Sequence, residues 1–223
     1  MKSTLTLQAL KAFIGGVILI GLLIFLPAGT LHFPEGWRLM GALFGPILIL
    51  GIVLLLRNPE LLQKRLSAKE KEGEQRVVVA LSGVMFLVAF IVAGIDFRFG
   101  WSALPKWLSW LGVGLFLLSY LLYAEVMREN AYLSRTIEVQ EGQRVVDSGL
   151  YGIVRHPMYG ATLLMFLSMP LILGSLYSLI VMLAYIPIIG ARMRNEEMVL
   201  EAGLEGYKEY KQRVRYKVIP LIW

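Results

Sequence analysis

The chain has 223 residues, 57% of them hydrophobic, with mean hydropathy +0.65, whereas soluble domains are about 45–50% apolar. The excess falls in blocks of roughly 20 residues, the length of a membrane span, so the sequence reads as one compact integral membrane domain over residues 1–223. Cysteine is absent, which excludes disulfides, thiolate metal sites and cysteine nucleophiles; the net charge of +6 lies in short loops between apolar blocks, where membrane orientation accounts for it and nucleic-acid binding is not implied.

Lys2 and Lys11 precede an apolar run too long for a signal-peptide core, and Pro27-Ala28-Gly29-Thr30 is a weak cleavage site. A retained first helix over 10–26 is expected. Pro27, Gly29 and Pro34 make a tight connection to a second span over 37–56, with Pro46 inside it as a kink site. Asn58-Pro59 starts a turn, and the leucines after it recur at helical spacing, predicting a short amphipathic helix on the membrane surface. Residues 69–76 are dense in both charge signs and belong in water.

The third span is expected over 77–95, followed by the polar, aromatic turn Asp96-Phe97-Arg98-Phe99-Gly100-Trp101. Trp101, Trp107 and Trp110 fit an interfacial belt. Pro105 opens a fourth span ending near 127, which grows polar through Tyr120, Tyr123 and Glu125. Residues 135–148 carry two β-favouring stretches around Glu141-Gly142 and predict a short docked hairpin.

Two apolar arms follow, 161–173 and 176–189, separated by Gly174-Ser175. Charge distinguishes one kinked span from a helical hairpin. Basic residues mark the N-terminus, the loop after span two, the segment after span four and the tail. Positive loops stay cytoplasmic, so the arms must return to the side they left. This predicts an all-α membrane protein of about six membrane helices, the last two a hairpin, plus a cytoplasmic helical tail. Both termini are then on the cytoplasmic side of the inner membrane. In the tail, Leu200, Leu204, Tyr207, Tyr210 and Val214 form one face, and Gly203 and Gly206 divide it.

Topology brings three polar stretches to one side: 125–130, 149–159 and 192–197. Within Arg155-His156-Pro157, the residue before proline is extended and Pro157 suits a helix first turn, whose partial positive charge can receive a carboxylate or phosphate. Alternatively Arg155 meets lipid phosphates and His156 only caps the helix. Arg192 and Glu196, four apart, share a helix face. They form either a solvated ion pair or a site in which a carboxylate holds an ammonium and an arginine an anion. No zinc motif, P-loop or dinucleotide fingerprint is present, and no metal site is expected.

Gly149-Leu150-Tyr151-Gly152-Ile153-Val154-Arg155-His156-Pro157-Met158-Tyr159-Gly160, then Arg192-Met193-Arg194-Asn195-Glu196-Glu197, then Gly206-Tyr207 and Tyr210, resemble the isoprenylcysteine carboxyl methyltransferase and phospholipid methyltransferase superfamily. Asn58-Pro59-Glu60-Leu61-Leu62 and residues 214–220 resemble its bacterial members. The likeness is strongest over 128–220. It implies four N-terminal spans (1–127) and a cofactor-binding catalytic half (128–223), with S-adenosylmethionine as methyl donor. By position, Tyr151, Val154, His156, Pro157 and Tyr159 would line the cofactor pocket. Glu196, with Glu197, would hold the cofactor amino group, and Arg192 would orient an acceptor carboxylate. The acceptor implied is lipid-like or prenylated. Carboxyl methylation is the leading expectation, phospholipid amine methylation the alternative, and a sterol-reductase-like enzyme using NADPH or a non-catalytic scaffold the more distant ones.

Overall fold

The computed structural model describes residues 2–67, 73–130, 132 and 139–223. Among them the ordered elements are helical: α1 (Lys2–Ala28), α2 (Pro34–Arg57), α3 (Pro59–Ser67), α4 (Gly73–Phe99), α5 (Lys106–Glu129), α6 (Pro157–Leu173), α7 (Leu176–Met182), α8 (Tyr185–Gly203) and α9 (Tyr207–Arg213). Five stretches are long and apolar enough to cross a membrane: 4–28, 34–57, 77–99, 106–129 and 176–203. Pro157–Leu173 is a shorter apolar helix. The fold is therefore the expected all-helical membrane architecture.

The chain divides into two compact units. One comprises Met1–Lys69, Val84–Gly114 and Ser168–Met182; the other comprises Glu70–Gly83, Leu115–Leu167 and Leu183–Trp223.

In the first unit, α1 and α2 pack together and α3 lies against both, with Leu62 of α3 buried. Backbones approach closely where glycine allows it. A Cβ on Gly94 would fall 2.5 Å from the Ile24 carbonyl oxygen, and one on Gly112 would fall 2.8 Å from the Ile172 amide. Small residues at such crossings let helices gain van der Waals contact without a hydrophobic driving force.

The unit's polar core lies at the turns. Asp96 is buried and accepts hydrogen bonds from the Ser102 amide (2.7 Å), the Ser102 hydroxyl (2.6 Å) and the Ser175 hydroxyl (2.5 Å). The Leu176 amide donates to Ser102 Oγ at 3.0 Å. The α6–α7 turn is thus fastened to the α4–α5 turn, which supports the helical hairpin. Gly174, at φ +69°, makes that turn.

The second unit holds the end of α5, the start of α6, all of α8, and the tail. Two sequence expectations are refined here. The second arm is not one helix to 189 followed by a separate tail. It breaks after Met182 and restarts at Tyr185, then runs unbroken through the charged cluster to Gly203. Pro187 sits in the first turn of α8, where its missing amide costs nothing. The predicted hairpin of 135–148 falls partly outside the described residues. In the described part, Glu141-Gly142 forms the turn, closed by Gln143 N to Gln140 O at 3.0 Å, and 143–147 has no regular secondary structure.

Candidate active site

The second unit contains a pocket that opens to solvent, a concave cleft of the kind in which small molecules bind. Four stretches form it. The first is the end of α5 with Asn130. The second is the strip Gln143, Arg144, Val145 and Val146. The third runs from Tyr151 to Tyr159, and the fourth is the face of α8 and α9 that carries Arg192, Glu196, Leu204, Tyr207 and Tyr210.

The third stretch is shaped by its own backbone chemistry. Residues Gly149–Gly152 make a 3-10 turn. Gly149 has φ +54°, a backbone that favours glycine, and a Cβ there would lie 1.8 Å from Glu129 Oε1 and push that carboxylate aside. Glu129 Oε2 accepts the Leu150 amide at 2.8 Å, which caps the turn and engages that carboxylate. Tyr151 is buried, receives Asn130 Nδ2 at 3.0 Å, and its carbonyl accepts the Tyr210 hydroxyl at 2.8 Å. Burial pushes the Tyr151 phenol up to about 12, against a smaller lowering by the Asn130 hydrogen bond. Tyr207 and Tyr210 are raised for the same first cause. All three therefore present neutral rings.

His156 is the residue before the helix and Pro157 is the first residue of α6, as proline geometry requires. The chain there is fixed by the tail. The Arg155 amide bonds the Tyr216 carbonyl (2.9 Å), and the His156 amide bonds that of Lys217 (2.7 Å).

Beneath the pocket lies an ion cluster centred on Glu197, which is 3% exposed. Its Oε1 accepts Arg155 Nε at 2.9 Å and lies 3.1 Å from His156 Nε2. Its Oε2 faces Lys211 Nζ at 3.4 Å and Lys217 Nζ at 3.5 Å. Arg155 is buried and also donates to the Val214 and Arg215 carbonyls, both at 2.7 Å. Arg155 is therefore an internal residue and does not face lipid phosphates. Lys211 is held charged by its hydrogen bond to Glu201.

The adjacent Glu196 points the other way and lines the pocket. Tyr159 OH donates to Glu196 Oε2 at 2.5 Å and accepts Arg192 Nε at 3.1 Å. The arginine and the glutamate are thus linked through a tyrosine hydroxyl. An anionic and a cationic group stand side by side, walled by aromatic rings.

Of the residues singled out from sequence, Tyr151, His156, Tyr159, Arg192 and Glu196 line the pocket, while Val154, Pro157 and Glu197 do not. Val154 is buried beside it, Pro157 starts the helix, and Glu197 is occupied by its cations. Sequence reasoning missed the strip 143–146 and placed Asn130 in a converging polar stretch without a role of its own. It quoted Tyr207 and Tyr210 in the family motif and otherwise read them as part of an apolar face. That face exists: Leu204, Tyr207, Tyr210 and Val214 cluster with Val139, Val145 and Leu200. Among the described residues there is no group of three metal-ligating side chains.

Residues 107–205 match the family model for phospholipid methyltransferases. That match covers somewhat under half of the chain. The family match begins in α5 and ends just after α8, so it contains Tyr159, Arg192 and Glu196 but not Tyr207 or Tyr210. The fold is similar to that of a eukaryotic intramembrane Ras methyltransferase, an isoprenylcysteine carboxyl methyltransferase. The TM-score is 0.58 at 20% identity, over 95% of this chain and 75% of that one. A mouse Delta(14)-sterol reductase is 33% identical over 91 residues, 40% of this chain. The matched stretch spans only 22% of that reductase.

Proposed function

We propose that the chain is an integral membrane methyltransferase that uses S-adenosylmethionine to methylate a lipid-like acceptor, at a carboxylate of the isoprenylcysteine type. The observation that carries this is the Arg192–Tyr159–Glu196 chain in an aromatic pocket. The cofactor bears an ammonium, a carboxylate and a sulfonium, and it supplies an electrophilic methyl group. The residues present suit it. Glu196, held by Tyr159, offers a carboxylate to the ammonium. The neutral rings of Tyr151, Tyr207 and Tyr210 offer faces that attract cationic groups. Glu197 acts from below by fixing Arg155 and His156.

Arg192 is the group that would orient an acceptor carboxylate, by a charge-assisted hydrogen bond. It sits where α8 leaves its apolar stretch, so a lipid chain can lie in the bilayer while its polar end meets the site. A carboxylate acceptor needs no base, and alignment and exclusion of water supply the rate. An amine acceptor would need one. Glu125 is paired with Arg128, and Glu129 caps the Leu150 amide; this favours the carboxylate over the phospholipid amine. Both termini and the pocket are placed on the cytoplasmic side.

The test is titration calorimetry in detergent with S-adenosylmethionine and its demethylated product, followed by transfer of a labelled methyl group into total membrane extract. Binding with transfer into an alkali-labile ester supports the reading; no heat with either compound sinks it. Likeness to a sterol reductase supports a second reading, a reductase. It would show as binding of NADPH in place of S-adenosylmethionine.

A further inference from the structure

Residues 217–223 form a closed turn. The amides of Lys217, Val218 and Ile219 converge on the Trp223 carbonyl oxygen at 2.9, 2.8 and 3.0 Å, and the Trp223 amide returns to the Ile219 carbonyl at 3.0 Å. Among the described residues Leu221 is the only non-glycine with positive φ, +67°. That backbone is unfavourable for an L-residue. Here it accompanies an outward display: Leu221 is 81% and Ile222 80% exposed.

The turn's other side chains set its level along the helices. Val218 lies against Gly160, whose added Cβ would be 3.5 Å away, one turn inside α6. Trp223 lies against Gly190, at 3.7 Å, two residues before Arg192, the first charged residue of α8. Both contacts fall where an apolar helix becomes polar, the level of a membrane–water boundary. Two exposed cations on the same unit, Arg194 and Arg215, have side chains with no hydrogen-bond or ion-pair partner among the described residues. Bare branched side chains on a unit that also carries unpaired cations are the chemistry of an interfacial anchor on anionic lipid.

We propose that this turn is such an anchor: Leu221 and Ile222 enter the acyl boundary of an anionic leaflet, and Arg194 and Arg215 meet its phosphates. The anchor adjoins Tyr216 and Lys217, whose carbonyls hold Arg155 and His156, so it ties the pocket floor to the leaflet. That consequence rests on the functional reading above; the anchor does not.

Because the chain has no cysteine, Leu221→Cys takes a single nitroxide label on the full protein. In nanodiscs of mixed phosphatidylglycerol and phosphatidylcholine, the label should collide with oxygen several-fold more than with a water-soluble nickel chelate. A label at Lys208→Cys, on exposed α9, should show the reverse. Ile222→Cys serves as a second site and should agree with Leu221→Cys. A nickel-accessible label at both 221 and 222 overturns the anchor. In pure phosphatidylcholine the label should sit shallower. Equal depth in both lipids, or unchanged depth in Arg194→Gln/Arg215→Gln, overturns the role given to lipid phosphates.

Discussion

Removing the Glu197 carboxylate is the most searching perturbation of the second unit. Glu197→Ala leaves Arg155 and His156 buried without their shared acceptor. Lys211 and Lys217 are partly exposed, at 37% and 28%, and can turn into water. Breaking a buried pair by removing one partner costs about 3–5 kcal/mol. Arg155 keeps two carbonyl acceptors, which places the loss near the lower end, about 3 kcal/mol. At ~2–4 °C per kcal/mol for a chain of this size, Tm should fall by about 6–12 °C. The assay is thermal unfolding in detergent, followed by tryptophan emission. Arg155→Met/Glu197→Met is the control, because an apolar pair of similar volume often equals a buried ion pair in stability. It should recover most of the loss. A Glu197→Ala shift below about 2 °C, or a double variant no better than the single one, would refute the view that Glu197 is the hub of this unit.

Glu196→Gln should weaken S-adenosylmethionine binding at least tenfold, about 1.4 kcal/mol or more, with Tm nearly unchanged; calorimetry and unfolding on the same sample check both halves. Gly149→Ala should destabilise by about 1–2 kcal/mol from left-handed strain alone, and more from collision with Glu129, read from the same melts. Burial raises Tyr151 from the ordinary 10.0 to about 12. Its folded pKa exceeds its unfolded one, so its contribution to stability is whole below pH 10 and is lost as pH rises through 12. The phenolate absorbance that distinguishes wild type from Tyr151→Phe should appear only toward pH 12; its appearance near 10 would contradict the burial.

Hydropathy made the spans legible, and the distribution of lysine and arginine made the helical hairpin legible, because bilayer length and loop charge are written locally. His156 and Pro157 were legible because proline constrains its neighbour whatever the surroundings. The direction of each glutamate was not. Glu196 and Glu197 are adjacent, and only the helix phase of α8, set by packing against α6 and α9, sends one to the pocket and the other to Arg155. The strip 143–146 escaped notice for a related reason. Its two adjacent valines suggested a strand, but its partner is the tyrosine face of α9, far away in sequence. Arg155 seemed a lipid contact because nothing local shows that the Val214 and Arg215 carbonyls arrive beside it.

Asp96 has a consequence for biogenesis. Among the described residues its side chain is held by hydroxyl and amide donors, two from Ser102 and one from Ser175. Ser102 comes from the adjacent turn, but Ser175 is made 79 residues later. Until it arrives, the Asp96 side chain, near the end of α4, keeps water as its third partner. The α4–α5 pair therefore reaches its final state only when the hairpin inserts, which makes the hairpin the closing step of assembly in that unit. A ribosome stalled just before Ser175 should hold a chain whose Asp96 turn is still open to water-borne reagents.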